Sequence, residues 1–139
     1  MGYLLDTNVV SESERAFPDK KVIKWLAQTD PDKSYLSALT VGEIKKGVSK
    51  LPSGKRKAHI QSWLEVIRNQ FGGRILALTE DTFSVWGKMM AELEKKGIAR
   101  PALDSLLEAT AMEHDLVLVT RNVRNFKDTQ VTILNPWED

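Results

Sequence analysis

The chain has 139 residues, enough for one domain of ordinary size with a real hydrophobic core, and residues 1–139 are read as a single domain. Its 42% apolar and 28% charged residues exclude a disordered or fibrous chain, and the lack of cysteine excludes disulfides and thiolate metal sites, so any metal has to be held by oxygen ligands or by one of two histidines. A net charge of +1 names no partner, no apolar run reaches the roughly 18 residues of a membrane span, and no secretory leader pattern opens the sequence, so a cytoplasmic protein with no membrane partner is expected.

Residues 2–5 form a short apolar run that stops at Asp6-Thr7-Asn8, the pattern of a buried strand giving way to loop polarity. A short helix is expected over 22–26 and a second strand over 35–37. A further helix then runs from Thr40, with Val41, Ile44 and Val48 recurring at helical spacing. Leu51-Pro52-Ser53-Gly54 is a break. Over residues 55–71, Ala58, Trp63, Leu64, Ile67 and Phe71 draw one apolar stripe on a long helix that Gly72-Gly73 closes. Residues 74–78 read as a strand, and Thr79 begins a helix carrying Phe83, Trp86, Met89, Met90 and Leu93, which Gly97 ends. Arg100-Pro101 opens the next helix, with Leu103, Leu106, Leu107, Thr110 and Ala111 inward. Residues 116–119 are the most continuous strand and 131–134 the last.

Short apolar strands alternating with amphipathic helices predict an α/β fold with a mostly parallel sheet covered on both faces. Ligand sites in such sheets lie beyond the carboxyl ends of the strands, which here means Asp6, Ser37, Thr40 and Thr120-Arg121-Asn122. Three acids stand out. Asp6 directly follows an apolar strand, where a carboxylate needs pairing, hydrogen bonds or a cation; the turn through Thr7 and Asn8 is one source of those bonds. Glu43 follows Thr40 at the spacing of a capping box, and Asp104 sits in a first helical turn that favours acids, so each also has a purely structural reading. Three carboxylates at strand ends and first turns can nevertheless meet in one crevice, where a hard divalent cation offsets their repulsion. Such a cation suits phosphodiester hydrolysis.

Positive charge gathers at Lys45, Lys46, Lys50, Lys55, Arg56 and Lys57 and again at Lys95, Lys96 and Arg100, either as solvated helix faces or as a nucleic-acid surface. Trp25, Trp63 and Trp86 fall on apolar stripes and are read as packing residues, while Trp137 lies near the end of the chain. His59 and His114 lack a metal-ligand spacing.

Taken in order, Leu4-Leu5-Asp6-Thr7-Asn8, Ser37-Ala38-Leu39-Thr40-Val41-Gly42-Glu43, Asp104-Ser105-Leu106-Leu107-Glu108-Ala109-Thr110-Ala111, Val119-Thr120-Arg121-Asn122 and Asn135-Pro136-Trp137 resemble the signature of PIN-domain ribonucleases. They are most similar to toxins of the VapC and FitB type. The resemblance spans essentially the whole chain. It implies a three-layer α/β/α sandwich with a short central sheet, and an endoribonuclease toxin acting on tRNA or another structured RNA with Mg2+ or Mn2+ as cofactor. By the same resemblance Asp6, Glu43 and Asp104 hold the metal, with Thr7, Asn8, Thr120 and Asn122 in support, and Arg121 and Lys46 hold RNA phosphates. The implied partners are a VapB- or FitA-like antitoxin, whose C-terminal segment fills the groove, and a second copy of the chain.

The sequence departs from the family pattern at one point. A fourth acid often stands at the position of Asn122 or Asn125, and both are amides here, which add no charge and favour one tightly held metal over two. Glu108, one turn after Asp104, either supplies that charge or faces solvent. Three other readings compete with the toxin: a non-catalytic RNA- or protein-binding scaffold, a stand-alone RNA-processing nuclease, and a phosphotransferase of the haloacid-dehalogenase kind. The last wants an aspartate at position eight, where Asn8 stands.

Overall fold

Side-chain alternation along strands of two to four residues decides where the layers form. The computed structural model describes residues 1–138, and Asp139 lies outside the described residues. Its strands are β1 (Tyr3–Leu5), β2 (Ser34–Ser37), β3 (Ile75–Leu76), β4 (Val117–Val119) and β5 (Ile133–Leu134), in the spatial order β3-β2-β1-β4-β5. All four pairings are parallel, and β1 at the centre sets Leu4 beside Tyr35 on one side and Leu118 on the other. Because successive residues point to opposite faces, Leu5, Leu36, Val117 and Val119 fall on one face and Leu4 and Leu118 on the other.

The first face is covered by α1 (Thr7–Val10), α2 (Lys20–Gln28), α3 (Ala38–Lys50) and α4 (Lys55–Phe71). Val9, Val10, Ile44, Val48, Leu64, Ile67 and Phe71 bury there, and Trp25 of α2 meets Tyr3 edge-on at 5.3 Å. Leu107 and Ala111 of α6 (Ala102–Glu113) cover the second face together with Phe126, and α5 (Glu80–Lys95) packs on α6 through Met89 and Leu93. The expected α/β/α layering and parallel sheet are both present.

Several local expectations need correction. Asp6 does not open a loop: its Oδ1 accepts the Thr7 N–H at 2.7 Å and caps the helical turn α1. The helix expected from Thr40 begins at Ala38, because the Ser37 hydroxyl accepts the Leu39 N–H at 3.0 Å and takes the cap position. Strands at 74–78 and 131–134 shrink to two residues each; Arg74 belongs instead to a short 3-10 turn, its guanidinium donating to the Ser34 carbonyl at 3.0 Å.

Ala58, Phe83 and Leu103 face outward although the sequence stripes placed them inward, Phe83 with 46% and Leu103 with 50% of their surface exposed. On α5 the buried line passes through Thr82, Met89 and Leu93, because the Thr82 hydroxyl reaches inward to donate to Glu113 at 2.6 Å. On α6 the sheet is first met at Leu107, one turn later than Leu103. Gly97, at φ +71, takes the left-handed conformation that stops α5. Replacing Leu107 by alanine is expected to lower stability by about 2–5 kcal/mol, whereas Phe83→Ala, at a half-exposed site, is expected to cost less; urea unfolding of the two variants checks this.

Candidate active site

The parallel sheet ends at Asp6. Its N–H donates to the Val119 carbonyl at 2.9 Å, carrying the ladder between β1 and β4 one residue past the strand and fixing where the carboxylate starts. The carboxylate is buried. Oδ1 accepts the Thr7 N–H, and Oδ2 accepts the Thr120 hydroxyl at 2.7 Å. Thr120, wholly buried after β4, is tied down by its own N–H to Leu134 at 3.0 Å and accepts the Asn122 N–H at 3.1 Å, so its hydroxyl proton is free to point at Asp6.

Thr7 reaches the other way as well: its hydroxyl donates to Glu43 Oε1 at 2.7 Å. Glu43 lies on the second turn of α3, exposed, and takes no part in a capping box because Ser37 caps that helix. Asp104 sits half-buried in the first turn of α6, as expected, and its Oδ2 accepts the Asn125 side-chain amide at 2.9 Å. Asn8 Oδ1 accepts the Arg121 N–H at 3.4 Å. Four separate pieces of chain, the ends of β1 and β4 and the helices α3 and α6, thus bring these groups to one end of the sheet.

Charge accounts for the rest of the geometry. Burial pushes the Asp6 carboxyl above its ordinary value of 3.8; the hydrogen bonds from Thr120 and the Thr7 N–H pull it down, and the negative charges of Glu43 and Asp104 push it up again. The three acids therefore act on one another. Among the described residues none of them is in an ion pair. Nor, among the described residues, do three His, Cys, Asp or Glu side chains stand close enough together to hold a metal ion between them. An open, oxygen-only donor set with unneutralised charge fits a hard cation that keeps part of its water shell.

Other sequence assignments fare differently. Glu108 neither joins the acids nor faces solvent: it is buried against Arg100, with Nε 2.8 Å from Oε1 and both side chains 1% exposed. Arg100 accordingly drops out of the basic surface it was assigned to. Lys95 and Lys96 are exposed beside Glu92 and Asp128. Lys46 is exposed and shares a hollow of about 430 Å³ with Glu43, Leu39, Leu78 and Leu103. Arg121 is exposed, its guanidinium 5.2 Å over the Trp137 ring, and Asn122 lies beside it in a polar hollow.

Trp25, Trp63 and Trp86 pack as expected, and His59 and His114 lie beside Glu14 and Glu113 at 2.7 and 3.3 Å. Sequence reasoning passed over Arg15, which lines a groove of about 340 Å³ together with Thr7, Glu43, Arg56 and Trp63. No periodic signal marked it, because it follows a short 3-10 turn and is held by Glu12 at 3.4 Å.

The PIN domain pattern matches residues 3–131, and the chain belongs to the PIN-domain family. It is 37% identical to the toxin FitB of Neisseria gonorrhoeae over 98% of this chain and 99% of that one. It is 35% identical to the VapC ribonuclease Y4jK of Sinorhizobium fredii, over 97% of each. Among solved structures, FitAB bound to a DNA fragment superposes with a TM-score of 0.93 at 35% identity, over 97% of this chain and 95% of that one.

An aspartate whose pKa is raised by folding contributes its stability below the unfolded value and loses it as pH rises through the folded value. Metal-free Asp6→Asn is therefore expected to match the wild-type melting temperature near pH 3, below the ordinary aspartate value, and to exceed it as pH rises toward 7, by about 2–4 °C for each kcal/mol recovered. Thermal melts in chelator across that range check the sign.

Proposed function

We propose that the chain is a metal-dependent endoribonuclease serving as the toxin of a toxin–antitoxin pair. The observation that carries this reading is the buried Asp6 carboxylate, hydrogen-bonded but paired with no cation, held in the field of Glu43 and Asp104 at the end of the sheet. Membership of the PIN family and likeness to a named toxin and a named ribonuclease support it. Asp6, Glu43 and Asp104 would hold the ion. Once bound, Mg2+ or Mn2+ supplies an activated water and offsets charge on the phosphoryl oxygens.

The remaining residues orient and bind. Thr120 fixes Asp6, and the Thr7 hydroxyl fixes Glu43 while its N–H holds Asp6, so one residue sets the spacing of two acids. Asn8 holds the backbone at Arg121, and Asn122 anchors to Thr120. Arg121 and Lys46 contact the RNA backbone on either side of the acids, since phosphate contacts supply affinity without sequence preference. We take the substrate to be a structured RNA such as a transfer RNA, cleaved in the cytoplasm. The groove that runs from Glu43 past Arg15 and Trp63 receives a segment of a FitA- or VapB-like antitoxin. A second copy of the chain is the other expected partner, and the chain works as one domain.

Total bacterial RNA incubated with the chain and Mg2+ or Mn2+ is expected to give discrete fragments that chelator abolishes. Asp6→Asn and Asp104→Asn lose cleavage by at least the roughly 10–100-fold that outer-shell losses at metal sites cost. RNA bound but left intact under every metal would instead make the chain a binding scaffold.

A further inference from the structure

The buried Arg100–Glu108 pair has no place in the site as described, and its surroundings show what it holds. Arg100 precedes α6 and Glu108 lies on the second turn of that helix, so the pair spans the first turn, which carries Asp104. The guanidinium has two further contacts. One N–H donates to the Asn125 carbonyl at 3.0 Å, and the guanidinium carbon lies 6.0 Å from the centre of the buried Phe126 ring. Asn125 belongs to the 3-10 turn Val123–Phe126 that follows β4, its N–H donates to the Asn122 carbonyl at 3.0 Å, and its side-chain amide returns to Asp104 at 2.9 Å. The contacts close a circuit: Asp104 to Asn125, Asn125 to Arg100, Arg100 to Glu108, and Glu108 back along one helical turn to Asp104.

A buried ion pair is weak evidence for stability, because desolvating both charges offsets much of their attraction; its better-attested use is to fix register. Here the register fixed is that of the turn after β4 against the first turn of α6. The chemistry of position 125 matters too. A carboxylate there would repel Asp104, whereas an amide donates to it and holds one of its two oxygens, leaving the other for a ligand. We infer that Asn125 is a positioning residue for Asp104, held in place by the buried Arg100–Glu108 pair, and that it sets the carboxylate's orientation for cation binding. This rests on the reading of Asp104 as a metal ligand.

Mn2+ affinity of the full chain, measured by isothermal titration calorimetry and by the loss of the free-ion electron paramagnetic resonance signal, tests it without reference to cleavage. Asn125→Ala is expected to raise the Kd by about tenfold or more while the metal-free protein melts within a few degrees of wild type. Arg100→Lys keeps the charge but cannot reach both Glu108 and the Asn125 carbonyl. It should weaken binding less, and should add nothing in the Asn125→Ala background, the signature of two residues acting through one path. Wild-type affinity in Asn125→Ala overturns the inference, and full additivity overturns the part assigned to Arg100. Asp104→Asn is the control: if it too binds Mn2+ like wild type, the reading of Asp104 as a ligand fails along with the inference, whereas if it alone loses affinity only the inference fails.

Discussion

Everything at this end of the molecule depends on one buried carboxylate. β1 is the central strand, so the residue after it sits at the point where the sheet gives out and the helices of both faces begin. An aspartate placed there meets a low-dielectric wall made by Leu4, Leu5, Val119 and their neighbours, and its charged form is penalised. Two hydrogen bonds compensate in part, and both come from residues whose own positions the sheet fixes: Thr7, which continues the chain from β1, and Thr120, which continues it from β4.

Bringing Glu43 and Asp104 into the same field makes the metal-free protein worse, not better, in electrostatic terms. That is the usual mark of a site built for a ligand: charge gathered against its own repulsion, held by hydrogen bonds that cannot neutralise it, and open on one side. Among the described residues, the supports are arranged so that none of them brings a cation. Threonine hydroxyls hold Asp6 and Glu43, an amide holds Asp104, and the buried cation Arg100 is engaged by Glu108. A lysine or arginine in any of those places would satisfy the acids directly and remove the demand for an ion.

Much of this was legible in the sequence, and the exceptions have physical causes. The helix over 55–71 matched the observed α4 at both ends, because Gly54 and Gly72 bound a long apolar stripe. The central strands were legible as apolar runs, and the three acids stood out because each followed a strand or opened a helix. The start of α3 was placed two residues late, at Thr40, and the capping-box reading of Glu43 stayed open, since only the Ser37 hydroxyl on the Leu39 N–H shows where the helix is capped. Phe83 and Leu103 were misplaced because a helical stripe shows which residues share a face, not at which turn a neighbour begins to cover it. Glu108 and Arg100, eight residues apart across a proline, gave no periodic signal of their pairing, and Asn125 read as a missing acid when its amide is what Asp104 uses.

The central claim is that Asp6, Glu43 and Asp104 gather one divalent cation at the carboxyl end of β1. Crystals of the chain soaked in Mn2+ and measured at a wavelength where manganese scatters anomalously test it directly. The account predicts a single strong anomalous peak within coordination distance of Asp6 and Asp104. A map with no peak there, or with its strongest peak at surface acids elsewhere, would contradict it.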